Sequence, residues 1–184
     1  MKKLLFAAAA IALATAAQAQ EARRPVGVGI SINPLEAGGL TSGAATLPTV
    51  EAYLPINIAP NFRLEPSLGI LANDVPTGQT NTRDITIGVG AFFVQRLAQP
   101  FDLYMGGRLK LNFAHTETTA PSGATTSASG TDVLLAAAIG GEHYFTQHFS
   151  LGAEAQVGFR SNSAASGDNT VWFTTGLGFF RFYF

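Results

Sequence analysis

The stretch that decides the fold is FDLYMGGRLKLNF, residues 101–113. Its odd-numbered positions are mostly apolar, and its even-numbered positions carry Asp102, Tyr104, Arg108, Lys110 and Asn112. Apolar residues at every second position predict a β-strand with one apolar and one polar face. After residue 20, the longest apolar run, residues 133–139, has only the length of a strand, so any crossing of a membrane would be made by strands.

The same alternation recurs along the chain and predicts eight strands. The runs cover residues 26–32, 50–58, 62–70, 85–94, 101–113, 133–145, 149–160 and 171–184. The connections after the even-numbered strands are short (59–61, 97–100 and 146–148). Those after the odd-numbered strands are long and rich in Gly, Ser, Thr, Ala and Asn (33–46, 73–83, 116–130 and 161–170). Short periplasmic turns that alternate with longer outer loops are typical of outer-membrane barrels.

A soluble eight-stranded barrel or sandwich is the alternative, with its apolar face inside. Three observations favour the membrane. The apolar faces are nearly free of charge over a membrane-spanning length, and the polar faces mix Gly, Ser and Thr with charges of both signs. Aromatic residues also gather beside the short turns, where they would lie at the lipid interface: Phe62, Phe101, Phe145 and Phe149. We therefore predict an all-β fold, a membrane-spanning antiparallel up-and-down β-barrel of eight strands over residues 20–184.

The first 19 residues have the pattern of a cleaved signal peptide. Lys2 and Lys3 precede an apolar stretch, and Ala17-Gln18-Ala19 has the small-x-small form of a cleavage site. We expect export through the inner membrane and residence in the outer membrane of a Gram-negative bacterium. The formal net charge of −1 gives no electrostatic footprint for nucleic acid, and the absence of Cys excludes disulfides and thiolate metal sites.

The last ten residues, TGLGFFRFYF, resemble the terminal strand of bacterial outer-membrane proteins. In that family this strand is read by the barrel-assembly machinery, and the resemblance assigns the signal to Gly176, Phe180, Phe182 and Phe184. Residues 61–69 and 141–152 resemble hairpin segments of small eight-stranded barrels, the group of OmpA-type transmembrane domains and opacity proteins. The resemblance implies outer-membrane lipids as partners.

The polar faces would form the lumen. By parity, ten charged residues point inward, five acids and five bases: Glu51, Arg63, Glu65, Asp102, Arg108, Lys110, Glu142, Glu154, Arg160 and Arg181. An eight-stranded barrel has room only for its own side chains or one small ligand, so we expect these charges to pair and close the lumen. No catalytic residue, metal site or cofactor site is predicted.

These features favour a structural or surface-interaction role, similar to that of an adhesin, with the long outer loops as mobile contact segments for an extracellular ligand. A narrow porin is the main alternative. A lipid A-modifying enzyme is less favoured. His115 is the only histidine at the outer rim, and no serine lies two or four residues away from it.

Two prolines lie inside predicted strands, Pro55 and Pro66, and each removes one donor from the ladder of hydrogen bonds. A closed barrel has no edge strand where this would be harmless. We expect them to mark bulges near the periplasmic ends of the second and third strands.

Overall fold

The computed structural model describes residues 24–33, 49–73, 80–98, 100–163 and 169–184. The predicted signal peptide, residues 1–19, and parts of the predicted outer loops lie outside these residues. None of the described residues belongs to a helix long and apolar enough to cross a membrane.

The described residues form nine β-strands. They are β1 (Gly27–Asn33), β2 (Thr49–Tyr53), β3 (Ile56–Ala59), β4 (Phe62–Asn73), β5 (Thr80–Ala98), β6 (Phe101–Thr119), β7 (Thr125–Tyr144), β8 (Phe149–Ser161) and β9 (Thr170–Tyr183). Strands β2 and β3 both pair with β4 and follow one another in the same register, so together they are the second of eight barrel strands.

Each strand pairs antiparallel with its neighbours in the chain, and β9 pairs with β1 to close the sheet. The ladder between β1 and β9 runs from Gly27–Tyr183 to Ile32–Gly178. Closure leaves no lateral edge within the membrane span, as a β-structure in lipid requires. The prediction of an eight-stranded antiparallel up-and-down barrel is confirmed.

The two faces of the wall differ as the alternation predicts. Outward side chains are apolar and exposed, for example Ile70, Ile139 and Val157 at 66%, 50% and 53%. Inward side chains include most of the charged residues in the described part of the chain, and most of these are buried. The barrel is therefore apolar outside and polar inside, which is the arrangement for lipid rather than water.

The strands have unequal lengths at the outer end. Strands β5, β6 and β7 contain 19, 19 and 20 residues, whereas β8 contains 13. A tilted strand needs only about 9–11 residues to cross a bilayer. The wall formed by β5, β6 and β7 therefore continues well beyond the apolar band.

This wall corrects the prediction of outer loops over residues 73–83 and 116–130. Thr80–Arg83 belong to β5, and nearly all of 116–130 forms a hairpin closed by a short turn at residues 120–124. Thr and Ser suit a strand, and here they bond across it: the hydroxyl oxygens of Thr80 and Thr118 lie 2.7 Å apart. The small polar residues that suggested a loop are strand residues in solvent.

The prolines do not produce bulges, so that expectation was wrong. Strand β4 keeps its register with β5 through Pro66, and the pairing of β2 and β3 with β4 keeps one register across Pro55. Leu54 N donates to Pro66 O, and Gly27 N donates to Pro55 O. In each pair the proline has no N–H with which to return the bond. The prolines remove single bonds, and the register shift lies nearer the turn, between Asn57 and Ala59.

Candidate functional site

Aromatic side chains fill the waist of the lumen. Phe92, Tyr104, Phe179 and Tyr53 come from four different strands and are almost fully buried. Ring centroids lie 5.1 Å apart for Phe92–Tyr104, 6.1 Å for Tyr104–Phe179 and 6.4 Å for Tyr53–Phe179. These are normal distances for edge-to-face and tilted aromatic contacts. The rings form a packed layer across the barrel.

A buried ion-pair cluster lies against this layer. Arg181 on β9 donates to Glu142 on β7 and to Glu65 on β4, each over 2.5 Å. Arg63 donates to the same Glu142 over 2.8 Å. None of these four side chains has any solvent exposure. Opposite charges without water contact are stable only when they are paired and hydrogen-bonded, and here they are both.

The carboxylate of Glu142 is the most heavily bonded acceptor of the cluster. Besides the two arginines, it accepts from the hydroxyls of Ser150, over 2.6 Å, and Tyr183, over 2.8 Å. Parity placed Glu142 inside, but sequence reasoning gave no role to Ser150 or the inward tyrosines. Their only signal is that they share the parity of the charged residues.

A second group of buried side chains extends the cluster toward the outer end. Arg108 donates to Glu154 over 2.6 Å and to Glu65 over 2.9 Å, which links this group to the first. Tyr104 and Gln156 also donate to Glu154. The guanidinium carbon of Arg108 lies 4.7 Å from the ring centroid of Phe92, and that of Arg181 lies 4.1 Å from Phe179. Arginines and rings thus form one packed layer.

The four remaining predicted charges lie outside these two groups. Lys110 Nζ lies 2.5 Å from Glu51, across the lumen on the outer side of the cluster. Asp102 lies 3.4 Å from Arg96, a partner that was not among the predicted residues. Arg160 is half-buried at the outer end, and its Nε has no hydrogen-bond partner among the described residues. The structure thus brings nine of the ten predicted lumen charges into described ion pairs and leaves Arg160 at the rim.

The outer mouth of the lumen carries polar residues that were not in the predicted network. Asn112 Nδ2 lies 3.4 Å from Asp84 and 3.3 Å from Asp132, and Asp132 also accepts from the backbone N of Ser163. The described residues contain no group of three or more His, Asp or Glu side chains placed to hold a metal ion. At the outer mouth, the side-chain amide of Asn112 therefore lies between the carboxylates of Asp84 and Asp132.

The histidines lie outside the lumen. On the outward face above the apolar band, His115 Nδ1 lies 2.7 Å from Ser129 Oγ, its direct neighbour in the register of β6 and β7. His143 contacts Phe145, and His148 stacks on Phe182 at the opposite end. The cross-strand pairing explains a contact that sequence spacing alone could not reveal.

Aromatic residues mark both ends of the apolar band. Phe62, Phe101, Phe145 and Phe149 are exposed beside the short turns. At the outer side Trp172 is 79% exposed and packs edge-on against Phe159, with centroids 5.8 Å apart. The phenylalanines of the predicted assembly signal are also exposed: Phe180 and Phe182 face outward on β9, and Phe184 follows its last residue. Gly176 lies on the same strand.

Comparison with known proteins supports the architecture. The sequence profile of the outer membrane protein beta-barrel domain matches residues 5–179. No curated protein matches the chain by sequence.

Several solved structures share the fold, and two of them are compared with this chain. Neisserial surface protein A, NspA, superposes with a TM-score of 0.59 at 17% identity, over 86% of this chain and 96% of that one. Ail, the attachment invasion locus protein of Yersinia pestis, superposes with a TM-score of 0.55 at 11% identity, over 88% of this chain and 99% of that one. At these identities the likeness is one of fold.

Proposed function

This chain belongs to the outer-membrane protein β-barrel family, and on that premise we propose that it is a non-conducting barrel that contacts other surfaces through its outer end. Two parts make up the proposal. The lumen is closed and serves stability, and the wall that rises from β5, β6 and β7 serves contact.

The proposal that the lumen is closed rests on one observation, the complete burial of the central cluster. Arg63, Arg181, Glu65 and Glu142 have no solvent exposure, and Tyr104 and Phe92 pack beside them. A conducting pore needs a continuous path along which polar side chains contact water. Fully buried charges at the waist interrupt such a path.

Planar-bilayer recordings test the closed lumen. We expect the native barrel to give no steady single-channel steps at neutral pH. The double variant Phe179→Ala/Arg181→Ala removes a ring and a guanidinium from the same layer, and we expect measurable current from it when gels confirm that it folds. Steady steps from the native protein would establish the narrow porin instead.

The contact role is supported by the ordered hairpin of β6 and β7. Its strands continue beyond the outward apolar residues Phe113 and Val133, mostly as Thr, Ser and other small or polar residues. The two similar structures are those of a neisserial surface protein and of an attachment invasion locus protein. We extend that class of role to this chain, since a rigid polar wall beyond the lipid is suited to contact rather than to anchoring.

A trimmed hairpin tests this role. Replacing residues 117–127 with Asn-Gly joins Thr116 to Ala128, which already face each other in the register, through a two-residue turn. We expect the trimmed barrel to fold and to show the native shift in gel mobility on heating. We expect cells with the native chain to attach to surfaces more than cells without the chain do. Cells with the trimmed chain should lose this additional attachment. Equal attachment of both would contradict the contact role.

We propose no enzymatic activity. The contact between His115 and Ser129 follows from their direct cross-strand pairing. Mass spectrometry of lipid A from cells that overexpress the chain checks this, and we expect no change. A mass change that His115→Ala abolishes would assign a hydrolase.

A further inference from the structure

The outer wall has an open edge on one side. Strand β7 pairs with β6 along its whole length, from Thr125 to His143, but it pairs with β8 only from Val133 downward. The loop from β8 to β9 is closed near its base, where Asn162 N donates to Asn169 O. Within the described part of the chain, no residue forms a ladder pair with the β8 side of residues 125–131, although Ser163 lies against the inward face of Gly130. We call this segment, with the sequence TTSASGT, the β7 edge.

The pattern of the ladder shows which groups point outward from the β7 edge. Tyr144 N donates to Pro100 O, and Ala120 N donates to Ala124 O, so even-numbered residues of β7 exchange hydrogen bonds with β6. Odd-numbered residues exchange them with β8, as Phe145 N does with Phe149 O. At the β7 edge, the N–H and C=O groups of Thr125, Ser127, Ser129 and Thr131 therefore point to the open side.

The β7 edge lacks the features that normally prevent pairing with another chain. It contains no Pro, Lys or other charged residue, and its register with β6 has no bulge. Its odd-numbered residues are exposed. Natural proteins usually protect such an edge with charges, prolines, bulges or a covering segment. A regular, neutral edge about 20 Å long, from seven residues at roughly 3.3 Å each, is a template for strand addition.

We propose that the β7 edge pairs antiparallel with the β7 edge of a second copy of this chain held in a facing membrane. This inference rests on the surface-contact part of the proposed function and names its partner. The pairing is symmetric about Ala128, so that Ser127 faces Ser129 of the other copy and Thr125 faces Thr131.

This register fits the sequence of the edge. All four open residues fall in hydrogen-bonded pairs, because odd-numbered residues meet odd-numbered residues. On the outward face Thr meets Thr and Ser meets Ser, which are favourable cross-strand pairs. On the inward face Ala128 meets itself and Thr126 meets Gly130, so that no large or charged side chains of the two edges oppose each other. Ser163, which lies against Gly130, has to shift to admit Thr126 of the other copy.

The direction of β7 explains why the second copy must lie in a facing membrane. In every copy within one membrane, β7 runs from the outside toward the periplasm, so an antiparallel partner must be inverted. The open edge also lies above the shorter strand β8, a space that a neighbour in the same membrane cannot enter because the barrel itself stands below it. A copy that approaches from outside reaches this space. Each pairing is small, but many copies on two surfaces act together.

Vesicle clustering tests the proposal. The folded protein is placed in vesicles of two colours with its outer end outward, and colocalisation is counted. We expect at least tenfold more mixed clusters when both populations carry the chain than when only one does. Ser127→Pro removes an open N–H without removing a bond to β6, and we expect clustering to be lost. Ser127→Thr keeps that N–H and should cluster as the native chain does.

Cross-linking tests the register independently of the proline variant. The chain has no Cys, so single substitutions report single contacts. Facing residues of a non-hydrogen-bonded pair have Cα atoms about 4.5 Å apart, within the range of a disulfide. Under mild oxidation, Ala128→Cys should form dimers between differently labelled vesicle populations. Ser122→Cys, in the exposed turn, should form few.

The outcomes separate this inference from the proposed function. Clustering with bare vesicles, or equal cross-linking at residues 122 and 128, would overturn self-pairing. Folded native barrels that do not cluster, while cells with the native hairpin still attach to other surfaces, would overturn self-pairing and leave the contact role standing. If the native barrels neither cluster vesicles nor make cells attach to other surfaces, both self-pairing and the contact role are overturned. Steady channel steps would overturn only the proposal of a closed lumen.

Discussion

The guanidinium of Arg181 on β9 donates to the carboxylate of Glu142 on β7 across 2.5 Å, with neither side chain exposed to solvent. Because β8 separates these strands in the sheet, the ion pair crosses the lumen and does not follow the ladder. Backbone bonds hold neighbouring strands together, whereas this pair holds strands that are not neighbours. The cluster therefore stabilises the cross-section of the barrel.

We expect Arg181→Met to lower the free energy of unfolding by about 3–5 kcal/mol, since it removes one of the cations that neutralise Glu142 and Glu65 in a site without solvent exposure. Denaturant unfolding in detergent micelles, followed by Trp172 fluorescence, measures it. The double variant Arg181→Met/Glu142→Gln removes one charge of each sign, and we expect it to be more stable than the two single losses added together, by about 0.5–3 kcal/mol. Strict additivity would show that the pair is not coupled.

A glycine pair gives a matched test of the packed waist. A Cβ at Gly140 would collide with the ring of Tyr104, which Glu154 holds through its hydroxyl. We expect Gly140→Ala to destabilise the barrel by about 1–3 kcal/mol. A Cβ at Gly178, on the outward face, would meet nothing within 4 Å. Gly178→Ala should change stability by less than about 0.5 kcal/mol, and equal losses from both would contradict the tight waist.

Pro66→Ala should stabilise the protein. The new N–H can complete the bond pair with Leu54, which already donates to the carbonyl of residue 66. A net hydrogen bond contributes about 0.5–1.5 kcal/mol, and an unmade one costs more in lipid. Chemical denaturation measures the gain. Pro121→Ala, in the exposed turn, is the control for unfolded-chain entropy, and we expect it to lose about 0.4–1 kcal/mol. A loss at Pro66 of the same size would refute the argument.

Trp172 should report the outer lipid interface. It is the only tryptophan and is 79% exposed on the outward face. We expect lipids brominated near the headgroup to quench its fluorescence more than lipids brominated deep in the chain. In Trp172→Phe/Ala137→Trp the probe moves to the middle of the band, and the order should reverse. If both proteins are quenched more by the same brominated lipid, Trp172 does not lie at the outer lipid interface.

The period-two pattern predicted the number of strands, their antiparallel order and which face meets lipid. It succeeds because a membrane barrel imposes one rule on every strand, and residues such as Ile85 and Leu109 satisfy that rule locally. It also placed Glu65, Glu142 and Arg181 on the inward face. It could not pair them, since pairing depends on how far each strand is shifted along its neighbours.

The errors have physical reasons. Residues 116–130 have loop-like composition, but Thr and Ser also form strands when a partner strand continues beside them, and β6 supplies that partner. Phe92 and Val94 are apolar residues on the inward face, because they belong to the buried hydrophobic cluster inside the barrel. Pro55 and Pro66 interrupt single bonds without bulges, because the bonds on either side keep the register. Composition of a single segment reveals none of these effects.

The unequal strand heights give the outer end of this barrel a front and a back. Viewed from outside the cell, the wall of β5, β6 and β7 covers one sector of the circumference, and the described strands of the other sectors end lower. When the barrel rotates freely about the membrane normal in a fluid bilayer, this sector takes every orientation in the plane of the membrane. In a crowded membrane, neighbouring proteins would fix the orientation of the wall. The rate at which the wall meets another surface would then depend on the fluidity of the surrounding lipid as well as on the residues of the wall.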